Sequence, residues 1–92
     1  SGHRVVHLPE QSRFEFRVGG VTAGVLDYAL RDGIAVMFHT EVYPQYGGRG
    51  GGAALVHAAL ETARAQGWFV TPACSFVRGY IRAHREYADL VG

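Results

Sequence analysis

Hydrophobic and charged residues alternate over residues 13–18, in the order Arg-Phe-Glu-Phe-Arg-Val. A period of two is typical of a β-strand that buries one face and exposes the other to water. The alternation therefore predicts an outer antiparallel strand. The preceding residues, 1–12, are expected to form a loose N-terminal segment.

Two turn signals divide the next stretch of the chain into strands. Gly19-Gly20 has the composition of a two-residue hairpin, and Asp32-Gly33 is of the kind that prefers a type I′ turn. Strands are therefore expected at residues 21–31 and 34–43. Pro44 ends regular pairing because it has no N–H group to donate.

The pattern then changes to that of a helix. Over residues 51–66 an apolar stripe recurs at positions i, i+3, i+4 and i+7. The stripe consists of Val56, Ala59, Leu60 and Ala63. Gly67 is the type of residue that ends a helix. A short buried strand is expected at 68–71, and a last helix from near Ser75, because serine is a good N-cap residue.

This order of elements predicts a compact α+β fold. Antiparallel strands followed by a crossover helix indicate a helix packed on a sheet. Because the helix supplies the long connection, the strand after it is expected to be parallel to the strand before it. Residues 85–92 are expected to form a short tail that packs back through Tyr87 and Leu90.

Composition narrows the class of protein. The chain has 92 residues, of which 48% are hydrophobic and 18% charged, which is typical of one globular domain covering residues 1–92. Its net charge of +1 argues against nucleic-acid or membrane-surface binding. No apolar run approaches the roughly 20 residues that span a bilayer. The N-terminus has no signal-peptide pattern, and a single cysteine suits a reducing compartment, so we expect a cytoplasmic protein.

The glycine loop, residues 45–52, is the strongest candidate for a binding site. Five of its eight residues are glycine, and it lies between a predicted strand and a predicted helix. A glycine-rich turn that opens a helix presents N–H groups at the positive end of the helix dipole, which favours a phosphate or pyrophosphate. The alternative is a flexible loop with no ligand.

Two other kinds of site are not indicated. The glycine loop is not a Walker motif, because no Lys-Ser/Thr pair follows it. The five histidines are scattered, and none has the spacing of a zinc ligand relative to Cys74. No metal site is therefore expected.

The order of several short strings resembles a known superfamily. Thr40-Glu41-Val42, Pro44, Gly48-Arg49-Gly50 and residues 52–56 resemble the acetyl-CoA signature of the GCN5-related N-acetyltransferases (GNAT). Further strings resemble the small, single-domain acetyltransferase-like branch of YjdJ type. These are residues 24–28, 39–42 and 72–81, then His84 and Glu86-Tyr87. The likeness covers roughly residues 13–91.

The resemblance implies acetyl-CoA, or CoA, as the cofactor. Main-chain N–H groups of the glycine loop are expected to hold the pyrophosphate, and those of Glu41 and Val42 to pair with the pantetheine arm. The implied loop residues are Gly47, Gly48, Arg49, Gly50, Gly51, Gly52 and Ala53. Arg49 adds a charge-assisted contact or is a solvated loop arginine. The first motif position is usually Gln or Arg, whereas here it is Gly47.

Four residues are candidates for catalysis. Cys74 is expected at a helix N-terminus, where a thiol becomes more acidic. The resemblance implies that it lies near the CoA thiol, either as a nucleophile or as a packed residue lining the channel. His39 and Glu41 share one face of a strand, and either is a candidate base for an attacking amine. Tyr80 is a candidate acid for the leaving thiolate, or a core residue.

The implied function is an N-acetyltransferase that moves an acetyl group from acetyl-CoA to an unidentified amine, on a small molecule or a protein. The alternative is a CoA-binding or partner-binding module with little or no catalysis. We expect a monomer or a weak homodimer, and an outer strand at 13–18 would allow pairing with a second copy.

Overall fold

The computed structural model describes residues 2–92, which form one five-stranded sheet and two α-helices on one side of it. The strands are β1 (His3–Leu8), β2 (Arg13–Val18), β3 (Val21–Arg31), β4 (Ile34–Val42) and β5 (Phe69–Pro72). The helices are α1 (Gly51–Gln66) and α2 (Ser75–Ala83), with 3₁₀ turns at Pro9–Gln11, Pro44–Tyr46 and Arg85–Leu90. The strand order is β1-β2-β3-β4-β5. All neighbours are antiparallel except β4 and β5, which are parallel, so the expected α+β fold is confirmed.

The prediction of a loose segment at residues 1–12 is wrong for the part that the structure describes. His3–Leu8 is a strand that pairs with β2 along its whole length, with Val5 opposite Phe16. Consequently β2 is an interior strand, and both of its edges are occupied by neighbours. Residues 13–18 therefore offer no free strand edge to a second copy. Strand β1 could not be predicted from the sequence because its residues do not alternate strictly between polar and apolar. In addition, a 3₁₀ turn rather than a glycine hairpin joins β1 to β2.

The core lies between the sheet and the helices. Phe14, Phe16, Leu26 and Met37 from the strands form one buried cluster with side chains of α1 and α2. The helical members of this cluster are Leu55, Val56, Ala59, Leu60, Ala63, Val77 and Ile81. Tyr87 and Leu90 are also buried in it, which confirms that the tail packs back.

The opposite side of the sheet, which we call the open face, carries mainly polar side chains. Residues paired across antiparallel strands share a face. Strand register therefore places on the open face Arg13, Glu15, Arg17, Asp27, His39 and Glu41. None of the helices formed by residues 2–92 packs on this face.

Strands β4 and β5 separate halfway along β4. Their parallel pairing runs only from Ile34 with Phe69 to Met37 with Pro72. The N–H groups of Ala73 and Cys74 both donate to the Met37 carbonyl, at 3.0 and 3.1 Å. Next to this point Phe38 is an extra residue on β4 in its pairing with β3, and such a bulge bends a strand. The result is a gap between residues 39–42 and the start of α2, which we call the β4–α2 gap.

The boundaries of α1 agree with the sequence. It begins at Gly51, after Gly50 with a φ of +75°, and Gly67 ends it with a φ of +73°. Both angles lie in the left-handed region that glycine tolerates best. In α2 the N-cap is Cys74, one residue before the serine that was expected to play that part. No helix within residues 2–92 has both the length and the apolar character needed to cross a bilayer.

Candidate functional site at the glycine loop and the β4–α2 gap

The glycine loop presents unpaired main-chain donors at the start of α1. The first helical hydrogen bond runs from the Ala54 N–H to the Gly50 carbonyl, at 3.0 Å. The N–H groups of residues 51–53 therefore have no acceptor within the helix. Residues 47–50 are exposed. This end of a 16-residue helix therefore offers donors and a positive dipole to an anion.

Glycine at position 51 allows this helix to begin close to the sheet. A Cβ atom there would lie 2.5 Å from Cδ2 of the Phe16 ring, which is itself in the core. At position 52 a Cβ atom would lie 2.6 Å from Cζ of Phe76 on α2. Gly51 therefore sets the distance of the α1 N-terminus from β2, and Gly52 leaves room for the ring of Phe76 on α2.

Arg49 lies near His3 of β1 and Tyr46 of the same loop. Its Nη1 lies 3.5 Å from Nε2 of His3, and its guanidinium carbon lies 5.6 Å from the centre of the Tyr46 ring. Sequence reasoning missed His3 because it lies in β1, the strand that was not expected. The sequence signal for this strand is the β-branched pair Val5-Val6, two residues after His3.

Gly47 differs from the other loop residues. Its N–H donates to the Pro44 carbonyl at 3.1 Å, within the 3₁₀ turn Pro44–Tyr46. That donor is therefore already used, whereas the N–H groups at the start of α1 are not.

The unpaired edge of β4 offers the main-chain groups of Thr40 and Val42. The Tyr43 N–H donates to Ala23 of β3 at 2.9 Å. Because main-chain groups alternate in direction along a strand, those of Glu41 also point to β3, and those of Thr40 and Val42 point into the gap. The Thr40 N–H is one of the groups that lower the pKa of Cys74 across the gap. Thr40 is thus a second residue that sequence reasoning missed.

Cys74 lies at the closed end of the gap, half-buried at the N-terminus of α2. Its thiol donates to Oγ1 of Thr40 at 3.7 Å. Burial raises the pKa of this thiol. The Val77 N–H, the Thr40 hydroxyl and the N–H groups of Phe76 and Thr40 lower that pKa by more in sum, so it lies below its ordinary value. These donors stabilise a thiolate at this position.

His39 and Glu41 lie on the open face, across β4 from Cys74. Nε2 of His39 is 3.2 Å from Oε1 of Glu41, which confirms that the two side chains share a face. Their side chains are 47% and 51% exposed. Thr40 pairs with buried Leu26 and therefore points to the helical face. The structure brings Cys74 and Thr40 together on one side of β4, and His39 and Glu41 together on the other.

Tyr80 lies in the packing between α2 and the C-terminal turn. Its ring stacks on that of His84 with centroids 3.9 Å apart, and it lies 6.2 Å from the Tyr87 ring. Burial raises its pKa above the ordinary value. These contacts favour the packing role over the acid role. Among residues 2–92, no three His, Cys, Asp or Glu side chains converge as metal ligands would.

Comparisons with known proteins agree with this architecture. Residues 13–90 match the model of a family described as GCN5-related N-acetyltransferase. A GCN5-like protein from Staphylococcus aureus, a proposed N-acetyltransferase solved by NMR, superposes with a TM-score of 0.73 at 22% identity. The match covers 97% of this chain and 87% of that one, and it supports the fold. None of the curated proteins matches the chain.

Proposed function

Because the chain belongs to the GCN5-related N-acetyltransferase family, we propose that it transfers an acetyl group from acetyl-CoA to a primary amine. The observation that carries this proposal is the proximity of two features. Unpaired N–H groups at the start of α1 suit a pyrophosphate. This helix start approaches Phe76 in the first turn of α2, two residues after the Cys74 thiol. Membership of the small YjdJ-type branch, and a cytoplasmic location, remain predictions.

In this proposal, the main chain of residues 48–53 and the side chain of Arg49 bind the phosphates of CoA. The N–H groups at the start of α1 donate to the pyrophosphate oxygens, and the guanidinium adds a charge-assisted contact. The main-chain groups of Thr40 and Val42 pair with the amides of the pantetheine arm, in place of the expected pairing through Glu41 and Val42. Cys74 then lies beside the thioester.

The acceptor amine approaches from the open face. His39 or Glu41 takes a proton from the ammonium, and the neutral nitrogen attacks the thioester carbon. The C–N bond forms, the C–S bond breaks, and the CoA thiolate leaves and takes up the second proton from the nitrogen, which becomes the amide. The N–H groups of Val77 and Phe76, which lower the pKa of Cys74, stand near this leaving sulfur and stabilise its negative charge.

A covalent route through Cys74 is the second form of the reaction. The Cys74 thiolate attacks the thioester and releases CoA, and the amine then attacks the acetyl-cysteine. The lowered pKa of Cys74 favours this route. The position of His39 and Glu41 across β4 favours the direct route, because the base and the thiol lie on opposite sides of the transferred group.

The test combines binding and turnover. Acetyl-CoA and CoA at up to millimolar concentration are titrated in a thermal-shift assay, with ATP as an unrelated nucleotide. Mass spectrometry then follows acetylation of lysine amide and of the protein itself. We expect stabilisation by both CoA species and acetyl-lysine amide as the product. Stabilisation without transfer supports the binding-module alternative, and no stabilisation contradicts the assignment of the ligand.

The variant Cys74→Ala distinguishes the two routes. The direct route predicts continued turnover and no acetylated protein intermediate. The covalent route predicts loss of turnover with CoA-dependent stabilisation retained. Acetylation at Cys74 of the native chain, formed and consumed at the rate of turnover, would establish the covalent route.

A further inference from the structure

The open face carries an apolar strip at the end opposite to the proposed base. Ile34 of β4 and Phe69 of β5 are neighbours in register, and Val36 and Thr71 form the next pair on the same face. Ile34 is 41% exposed and Phe69 is 53% exposed. We call Ile34, Val36 and Phe69 the apolar strip. Its members lie outside the core cluster between the sheet and the helices.

The other end of β4 carries a negative charge that is available to a cation. Arg13 and Arg17 bind the carboxylates of Asp27 and Glu15 on this face. Glu41 is different, because the partner found for its carboxylate among residues 2–92 is the exposed His39. An ammonium group placed here meets a carboxylate that no arginine of the described chain neutralises.

These two features are separated by a length that suits a polypeptide. Ile34 and Glu41 are seven residues apart on one strand, which corresponds to about 20 Å at the rise of a β-strand. The bulged residue between them, Phe38, is 53% exposed. A single small amine contacts only the Glu41 end, whereas an extended segment of about six residues reaches both ends.

We propose that the acceptor is a lysine within an extended polypeptide and that the apolar strip selects it. The lysine ammonium meets Glu41 and His39 at the β4–α2 gap. An apolar side chain three to six residues away in the segment packs on Phe69 and Ile34. The inference rests on the proposed acetyl transfer and adds a second recognition point to it.

The test uses three acceptors with the full chain and acetyl-CoA. They are lysine amide, an eight-residue peptide with leucine four residues from its lysine, and the same peptide with serine in place of leucine. We expect kcat/KM to be roughly tenfold higher for the leucine peptide than for the serine peptide, in line with the burial of one apolar side chain. Lysine amide is expected to be the poorest acceptor.

The variant Phe69→Ser removes the centre of the strip. We expect it to abolish the preference for leucine while leaving turnover of lysine amide unchanged. Val21→Ser is the matched control, because Val21 is 51% exposed in the β2–β3 hairpin and lies outside the strip. Circular dichroism checks that both variants remain folded.

Three results overturn the inference. The first is an equal kcat/KM for the leucine and serine peptides when lysine amide is acetylated, which leaves the transfer reaction itself standing. The second is an equal effect of Phe69→Ser and Val21→Ser. The third is a dimer in sedimentation that Phe69→Ser dissociates, because a second copy then covers the strip. If no acceptor is acetylated, the proposed transfer fails as well.

Discussion

The sulfur of Cys74 lies 3.7 Å from the hydroxyl oxygen of Thr40, although 34 residues separate the two in the chain. Thr40 is on the last part of β4, and Cys74 is the N-cap of α2. The contact spans the inner end of the β4–α2 gap. It joins a strand edge, a helix N-terminus and the only thiol of the chain.

The first prediction concerns this contact. Thr40→Val keeps the shape of the side chain and removes the hydroxyl that lowers the pKa of Cys74. The midpoint of the pH dependence of iodoacetamide alkylation is therefore expected to move upward. Thr71→Val is the control, because Thr71 faces the other side of the sheet. A midpoint that stays in place or falls contradicts the role given to Thr40.

The second prediction compares two adjacent glycines. In Gly51→Ala the new methyl group meets the buried Phe16 ring, so we expect a loss of about 1–3 kcal/mol in the free energy of unfolding. In Gly52→Ala it meets Phe76, which is 47% exposed and can move aside. Gly52→Ala should therefore lower the free energy of unfolding by much less than Gly51→Ala. Urea denaturation measures both, and equal losses would show that Phe16 does not set the helix position.

The third prediction concerns the proposed phosphate contact. Arg49→Gln is expected to weaken CoA binding by roughly tenfold, because one charge-assisted hydrogen bond is lost. Arg31→Gln removes the same charge at the distant β3–β4 hairpin and serves as the control. Isothermal titration at two salt concentrations measures both affinities. If the two variants bind CoA alike, Arg49 is a solvated loop residue.

The fourth prediction is a loss of stability in acid that depends on Glu15. This side chain is buried and accepts hydrogen bonds from Arg17 and Thr22. Its hydrogen bond with Arg17 is the largest cause that lowers the pKa of Glu15 below the ordinary 4.5, against the opposing effect of burial. The stabilisation is therefore present above pH 4.5 and is lost as the pH falls through the folded-state pKa.

The variant Glu15→Gln isolates this contribution. At neutral pH we expect it to be less stable than the native chain by about 1–3 kcal/mol, since a charged hydrogen-bonded group is lost. Below pH 4.5 the difference should shrink, because the native side chain becomes neutral as well. Urea denaturation from pH 3 to 7 tests this, and a difference independent of pH would refute the assignment.

The fifth prediction is a loss of stability at alkaline pH that depends on Tyr87. The Tyr87 hydroxyl donates to Glu61 and lies 3.2 Å from Nδ1 of His57, so the C-terminal turn is bonded to α1. The carboxylate of Glu61, and then burial, raise the pKa of Tyr87 from 10.0 to about 12. Its stabilisation is complete below pH 10 and is lost as the pH rises through about 12.

Tyr87→Phe should therefore lose about 2 kcal/mol relative to the native chain near pH 8, with the difference vanishing toward pH 12. The chain contains no lysine, so lysine titration does not obscure this range. Denaturation monitored by Trp68 fluorescence measures the stability difference between the variant and the native chain. A constant difference across pH 8–12 would mean that only packing is lost.

Much of the architecture could be predicted because it depends on neighbours in the sequence. The alternation at β2, the hairpin pairs and the apolar stripe of α1 are local signals, and each marks a strand, turn or helix that the structure contains. The position of β2 in the interior of the sheet was not expected. The glycine loop was also placed correctly at the start of α1, because helix-ending and helix-opening glycines have characteristic conformations. In contrast, β1 has neither alternation nor a hairpin turn, so its pairing with β2 was invisible in the sequence.

The sequence by itself determined the order of the elements from β2 onward, the parallel crossover and the glycine loop, because these follow from residue periodicity and backbone preference. Only the tertiary structure decided that His3 lies beside Arg49, 46 positions away, and that Thr40 lies beside Cys74. It also decided that His39 and Glu41 face away from that thiol. The physical reason is that such contacts depend on strand register and on the bulge at Phe38, which fix the face of each side chain without any signal in the neighbouring residues.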